Sequence, residues 1–371
     1  MDVQFERLRL SGWKSIRELD LELRPLTVLV GGNGAGKSNL IEFFRLLNAL
    51  ADGRFQVFVG STGGPESLLH FGSKTTPRVT CDLRVRAAGE QYSYAASWIP
   101  GRPEGLVFEA ERAGRPAGPT HGLYAEGLFG GGYQESELVK PSPEAAWVVK
   151  PIRAGLAHCR VYHFHDAGPA AGFRQAGRVN LNNRLEGDAG NLAAMLYLYR
   201  ERYPTLYRRI RAAVRAVLPD FDDFAVEPLR LRPLDLLLEW KAVGREYVFG
   251  PHQLSDGTIR FMALATLLLQ PDEDLPALVL LDEPELGLHP AALGVLADLL
   301  KGASARTRVL VATQSAVLLD HFDPADVVTV NRRDGASVFE RLDPERLNEW
   351  RDGEFSLSDL WQRNVFGGGP Y

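Results

Sequence analysis

The chain has only two cysteines, Cys81 and Cys159, in 371 residues. That scarcity excludes a disulfide framework and a cysteine-based zinc site, and it fits a reducing compartment. Long apolar runs are also missing. The longest, such as Ala277 to Leu281, fall far short of the roughly 20 residues that cross a bilayer, so no membrane span is expected. Met1 to Leu10 mixes charged and apolar residues and lacks the apolar centre of a secretory leader, which points to a cytoplasmic protein. No sign of charge dominates. With 42 Lys and Arg against 47 Asp and Glu the net charge is −5, which excludes a dedicated nucleic-acid coat but leaves room for a local basic patch. Between Lys37 and Leu254 no stretch free of glycine and proline outlasts Lys37 to Asp52, so there is no long coiled coil.

What remains is an ordinary globular composition, 45% hydrophobic and 24% charged, with length for two to three lobes. Phe5 to Leu10 alternates apolar and polar residues, and Leu26 to Val30 is a short apolar run ending in glycines. Both read as strands. The spacing of Leu40, Ile41, Phe43, Phe44, Leu46, Leu47 and Leu50 predicts a helix over Asn39 to Leu50. Thr80 to Val85 and Gln91 to Trp98 predict a hairpin turning at Ala88-Gly89-Glu90. Pro100 to Pro151, where glycine and proline recur, predicts surface loops or an insertion. Asn191 to Arg202 and Leu206 to Leu218 predict helices punctuated by Pro204 and Pro219. From Leu234 a strand pair is followed by a helix at Thr258 to Gln270, a strand at Ala277 to Leu281, a helix at Ala291 to Lys301, and strands at Val309 to Ala312 and Val327 to Asn331. Strands alternating with helices imply an α/β fold with a mostly parallel sheet.

Gly31-Gly32-Asn33-Gly34-Ala35-Gly36-Lys37-Ser38 matches the phosphate-binding pattern G-x-x-x-x-G-K-[ST], placed after a predicted strand and before a predicted helix. Glycines let backbone N–H groups close on a β-phosphate at a helix N-terminus. Lys37 would then reach the β- and γ-phosphates of ATP, and the Ser38 hydroxyl would hold Mg²⁺. Leu278 to Leu281 is an apolar strand ending in Asp282-Glu283 and stopped by Pro284. It resembles a Walker B strand, with Asp282 toward Mg²⁺ and Glu283 placed to activate the attacking water. Ser255-Asp256-Gly257 precedes a predicted helix; its plain reading is a helix N-cap, its sharper one a signature loop gripping a γ-phosphate held by another subunit.

These elements, with Glu285 to Pro290 as a D-loop, resemble the ABC ATPase superfamily. Gly12-Trp13-Lys14-Ser15, Gly36 to Leu40 and Leu254 to Gly257 resemble its RecF, SMC and OLD-type branch. The resemblance implies a P-loop NTPase of ABC type: a mixed, mostly parallel sheet flanked by helices, an antiparallel β subdomain and a helical and loop insertion. Residues 1–105 and 225–345 would form the ATPase core, 106–224 the insertion and 346–371 a tail. It implies ATP hydrolysis and a head-to-tail homodimer formed on ATP, Asn39 belonging to the ATP-binding segment and residues 13–15 lying near adenine and ribose. Two departures stand out. Asp256 replaces a glycine usual in transporters, and Thr313-Gln314-Ser315 stands where many relatives have Thr-His-Ser. Gln314 can hydrogen-bond a phosphate or water but carries no proton, so slow turnover suited to a switch is expected. Gln56 and Gln91 are both open as the glutamine of the Q-loop.

Arg208, Arg211 and Arg215 share a helix face that either contacts DNA or is simply solvated. His163 and His165 fall on one side of a predicted strand, where a divalent metal would need a third ligand. Arg351 to Tyr371 carries Phe355, Trp361 and Phe366 and docks on the body or on a partner. Function divides between an ATP-gated clamp or switch in DNA repair, recombination or phage defence and a regulatory ATPase controlling a separate effector. A transporter motor and adenylate-type kinase chemistry fit less well. With 57 residues after Gln314, the Toprim nuclease domain of OLD-type relatives is not expected.

Overall fold

Side-chain alternation along three short strands decides the architecture. The structure, a computed structural model, describes residues 3–101, 105–115, 128–345 and 355–369. β1 (Val3–Trp13), β2 (Ile16–Glu22) and β3 (Leu26–Val30) lead into α1 (Lys37–Ala51), α2 (Phe55–Ser61) and α3 (Pro65–Leu68). β4 (Val79–Ala87), β5 (Glu90–Gly101), β6 (Gly105–Gly114) and β7 (Leu128–Gly130) precede α4 (Ala146–Ala157), β8 (Cys159–Tyr162) and β9 (Gly177–Arg178). Next come α5 (Leu192–Arg202), α6 (Pro204–Val217) and the short strands β10 (Phe221–Phe224), β11 (Pro228–Leu229), β12 (Arg232–Leu236), β13 (Trp240–Ala242) and β14 (Val248–Phe249). The chain closes with α7 (Asp256–Leu269), β15 (Leu278–Asp282), α8 (Pro290–Ser304), β16 (Arg308–Thr313), α9 (Ala316–Leu319), β17 (Val327–Arg333), β18 (Ala336–Arg341) and α10 (Leu357–Gln362).

The central sheet runs β18-β17-β3-β16-β15-β8, parallel throughout except for the β17–β18 hairpin. Every residue of β3 and β15 is buried, as a parallel strand covered on both faces requires. Alternate residues feed two cores. Val28, Val30, Val279, Leu281, Val309 and Val311 pack toward α5 to α8. Leu29, Leu278, Leu280, Leu310 and Ala312 pack toward α1 and the second large sheet, β2-β1-β4-β5-β6-β7, which is antiparallel.

The strand-loop-helix opening, the β4–β5 hairpin and the alternating C-terminal half lie where the spacing predicts. The stretch read as loops differs. Residues 102–104 and 116–127 lie outside the described residues, but β6 extends the hairpin sheet and α4 follows. Two features mask them. Buried Glu111 interrupts the apolar alternation of β6, and Pro151 sits inside α4 where a proline normally reads as a stop. β2 is likewise additional. Pro204 does not end a helix but starts α6, at a first-turn position where its missing N–H costs nothing. Among the described residues no helix is long and apolar enough to cross a membrane. The tail docks on the body: Leu357, Leu360 and Trp361 join the helical core. Residues 351–354 and 370–371 lie outside the described residues.

Candidate nucleotide-binding site

The C-terminal ends of β3, β15 and β16 bring the Gly31 to Ser38 loop, Asp282-Glu283 and Gln314 to one edge of the sheet, the end where ligands of open α/β sheets sit. The loop is crowded. A Cβ on Gly31 would lie 2.3 Å from the Val330 carbonyl, and one on Gly36 would lie 2.0 Å from Ser337 Oγ, at a φ of +114°. α1 starts from this loop with no side-chain cap and no acidic residue in its first turn. Its terminal N–H groups therefore have no capping side chain and no first-turn carboxylate to satisfy them, the condition under which a helix start accepts a phosphate. Lys37 Nζ is buried and donates to the carbonyls of Gly31 at 2.7 Å and Gly32 at 3.1 Å. Burial holds its pKa below the ordinary lysine range, opposed by the carboxylates of Glu283, Asp282 and Glu285.

Those carboxylates are differently placed. Asp282 is 7% exposed, and its Oδ1 is buried without a hydrogen-bond partner. An orphaned anionic oxygen beside a phosphate loop fits a hard cation, so Asp282 with Ser38 are the residues that would hold Mg²⁺. Glu283 adopts a left-handed φ of +47°, which turns it out of β15, and its N–H donates to Ala312 O at 2.8 Å. The Gln314 amide donates to Glu283 Oε1. Glu285 is held beneath them, accepting from Thr313 Oγ1 at 2.5 Å and Gln314 N at 3.2 Å. Burial raises its pKa above the usual carboxylate range.

The other sequence candidates fall as follows. Trp13 Nε1 donates to Asn39 O at 2.8 Å, Asn39 Nδ2 donates to Ser15 Oγ at 2.7 Å, and Lys14 pairs with Glu42. The 13–15 turn thus abuts the start of α1. Ser255 caps α7, accepting from Thr258 N at 3.1 Å, so the plain N-cap reading holds in this conformation. Ser255 and Asp256 are exposed and Gly257 is buried, where an added Cβ would lie 2.0 Å from Gly287 O. Neither glutamine proposed for the Q-loop is near. Gln56 donates to the carbonyls of Leu106 and Gln134, and Gln91 to Glu6, all in or beside the antiparallel sheet. Beside Asp282 stands instead the segment after β8. That strand ends at Tyr162, so His163 and His165 are not strand residues. His165 Nε2 lies 2.9 Å from Asp282 O, and the two imidazoles are 4.7 Å apart. No third ligand joins them among the described residues. Arg211 pairs with Asp222 at 3.5 Å and Asp223 at 3.4 Å, and Arg208 donates to Thr205.

The motifs gave no sign of several neighbours. A cavity of about 390 Å³ beside the loop is lined by Gly32 to Ala35 and Gln314, but also by Asn331, Arg332, Trp361 and Gly368. Arg332 Nη1 donates to Gly34 O at 3.3 Å, and Ser337 Oγ lies 2.5 Å from Ala35 O. Gly368 N donates to Asn331 Oδ1 of β17, which anchors the tail at this rim, and Trp361 Nε1 donates to Gly368 O within the tail. Only the aromatic content of the tail hinted at docking.

This fold and loop define a P-loop ATPase of ABC type. The chain belongs to the family described as "AAA domain, putative AbiEii toxin, Type IV TA system", which matches residues 104–320, more than half of the chain; a second AAA-domain family matches residues 7–82. The fold is shared with SMC heads. The SMC head bound to the C-winged helix domain of ScpA superposes with a TM-score of 0.62 at 17% identity, covering 92% of this chain and 99% of that one. The SMC heads of Pyrococcus yayanosii and Pyrococcus furiosus give 0.57 at 13% and 0.54 at 18%, each covering 95% of this chain and 99% of theirs. No curated protein matches in sequence.

Proposed function

We propose that the protein binds ATP on the Gly31 to Ser38 loop and hydrolyses it as an ATP-gated switch, two copies closing head to tail around two nucleotides. The observation that carries this reading is the Gln314 amide held on the Glu283 carboxylate, beside buried Lys37 and the unpartnered oxygen of Asp282. In the reaction Glu283 takes a proton from the attacking water, and Gln314 orients both. Lys37 offsets negative charge gathering on the β- and γ-phosphate oxygens. Ser38 and Asp282 would hold Mg²⁺, which when bound would further neutralise the phosphates. Residues 13–15 flank the adenine and ribose side. The partner's copy of Ser255 to Gly257 completes each site, which is why Ser255 stands exposed in one chain.

Glu283→Gln keeps the Gln314 contact but cannot accept the proton. It should trap an ATP-bound dimer and lower turnover by about 10² or more. A variant that stays monomeric in saturating ATP and Mg²⁺, by light scattering, removes the two-chain reading.

The biological use we favour is a clamp or switch in DNA repair, recombination or phage defence. A second reading, control of a separate effector protein without DNA, draws on Arg211, whose charge is already engaged by Asp222 and Asp223. The SMC head of similar fold, bound to a winged-helix domain, is a precedent for a protein partner. ATPase turnover with and without duplex, single-stranded and nicked DNA separates them. Salt-sensitive stimulation that is lost in an Arg208, Arg211 and Arg215 triple glutamate variant selects the clamp; indifference to DNA selects the effector.

A further inference from the structure

The residue that departs from the usual signature, Asp256, is tied to an arginine from a distant segment. Arg174 lies in the stretch between β8 and β9 and is 5% exposed. It donates to Ala167 O at 2.8 Å within its own segment, and its other bonds all reach the turn before α7 or the first residue of that helix. They go to Pro251 O, to Leu254 O at 3.2 Å from both terminal nitrogens, and to Asp256 Oδ1 at 2.7 Å. Leu254 and Asp256 are the two neighbours of Ser255. One guanidinium therefore holds the serine from both sides, using the planar fork of donors that lysine lacks.

The charge arrangement has its own logic. Asp256 is more than half exposed on the same turn as Ser255, so a bare carboxylate there would repel a triphosphate brought up by another copy. Arg174 cancels that charge. Gly257, pressed against Gly287 O, fixes the far side of the turn.

We propose that Arg174 is a positioning residue for the signature turn. It sets Ser255 for the nucleotide of the other subunit and neutralises Asp256, so that an aspartate works where transporters usually have a glycine. This rests on the two-chain reading above, and it makes Arg174 act in trans: the residue serves the site built on the partner's phosphate loop and not the site on its own.

Mixed dimers test the claim. A Lys37→Ala chain loses its own phosphate loop but keeps its signature; an Arg174→Ala chain keeps its loop but has a slack signature. Each alone should turn over ATP at least tenfold more slowly than the wild type. An equimolar mixture should recover to about a quarter of wild-type turnover, since random pairing makes half of the dimers mixed and each mixed dimer has one intact seam of two. Ser255→Ala mixed with Lys37→Ala serves as the control for the seam itself. If the control recovers and the Arg174→Ala mixture does not, Arg174 does not act in trans and the inference is overturned. If neither recovers, the two-chain reading falls and the inference with it. Because buried Arg174 is sensitive to truncation, exposed Asp256→Arg provides a second route. It should repel Arg174, show the same loss and recover in the same mixture, whereas Asp256→Asn, which keeps an oxygen acceptor, should fall between it and the wild type. Turnover of Asp256→Arg alone equal to that of the wild type would also overturn the proposal.

Discussion

Two glycines of the phosphate loop offer a measurement of what the loop's surroundings demand. Gly34 and Gly36 both have positive φ, +73° and +114°, but a Cβ on Gly34 meets nothing within 4 Å while one on Gly36 lands 2.0 Å from Ser337 Oγ and 2.7 Å from Ser15 Oγ. Gly34→Ala should therefore cost only the left-handed backbone term, about 1–2 kcal/mol. Gly36→Ala adds more. Its backbone term is about 1–3 kcal/mol, and Ser337 must leave, giving up its contacts with Ser15 at 2.6 Å and Ala35 O at 2.5 Å. At about 1 kcal/mol per bond these bring the total to roughly 3–5 kcal/mol. Urea unfolding followed by tryptophan fluorescence, with Trp13 adjoining the site, should show Gly36→Ala less stable than Gly34→Ala by about 2 kcal/mol. The loss should extend to nucleotide binding, because Ser15 also receives the Asn39 amide that opens α1. Equal losses for the two variants would show that the β17–β18 hairpin does not brace the loop, and would refute the reasoning.

Three further outcomes are expected. Burial raises the Glu285 pKa, so the native state holds that proton more tightly than the unfolded chain; the stability this contributes is complete at low pH and is lost as pH rises through the raised value. Glu285→Gln should consequently gain on the wild type in thermal unfolding as pH is raised from below the ordinary carboxylate range to above it, and a constant difference would count against the assignment. Trp361→Ala removes a side chain 3% exposed and should cost about 3–5 kcal/mol, with the tail cut by protease earlier than the rest of the chain; unchanged cleavage would mean that α10 is held by other contacts. Gly257→Ala should abolish ATP-dependent dimerisation while leaving the Walker A loop able to bind nucleotide, read by a fluorescent ATP analogue, since its Cβ collides with Gly287 O and not with the phosphate loop.

The phosphate loop and the Asp282-Glu283 strand end were legible because their chemistry is local. Glycines, lysine and serine at fixed offsets, or an apolar run ending in two carboxylates, need no knowledge of the rest of the chain. The parallel sheet was legible for a related reason, since strands buried on both faces read as continuous apolar runs. What could not be read depends on distant partners. Ser337 and Arg332 meet the loop only because β17 pairs beside β3, and no pattern within those segments marks them; Trp361, one of the tail's docking aromatics, lines the same cavity because the tail folds back. The spacing of His163 and His165 leaves a metal open only with a third ligand, and the His165 ring lies on the carbonyl of Asp282, a consequence of β8 pairing with β15. Nothing in the residues around Arg174 distinguishes it from other arginines, because its bonds to the turn around Ser255 join segments some 80 residues apart. β6 was hidden because Glu111 is charged but buried, its carboxylate met by Tyr94, Tyr133, Ser136 and the Glu137 N–H.

The position of β3 between β16 and β17 has a consequence for how the protein is made. This wholly buried strand leaves the ribosome early, but both of its neighbours lie after residue 307. At about 5–20 residues per second, synthesis of the intervening chain takes on the order of 15 to 55 seconds. For that interval Leu26 to Val30 has nothing to pair with, and its exposed hydrogen-bonding edges are open to other nascent chains. The antiparallel sheet, completed by residue 130, and α1 are the shelter available in the meantime, so a holding chaperone acting on the first third of the chain would matter more to yield than one acting on its end.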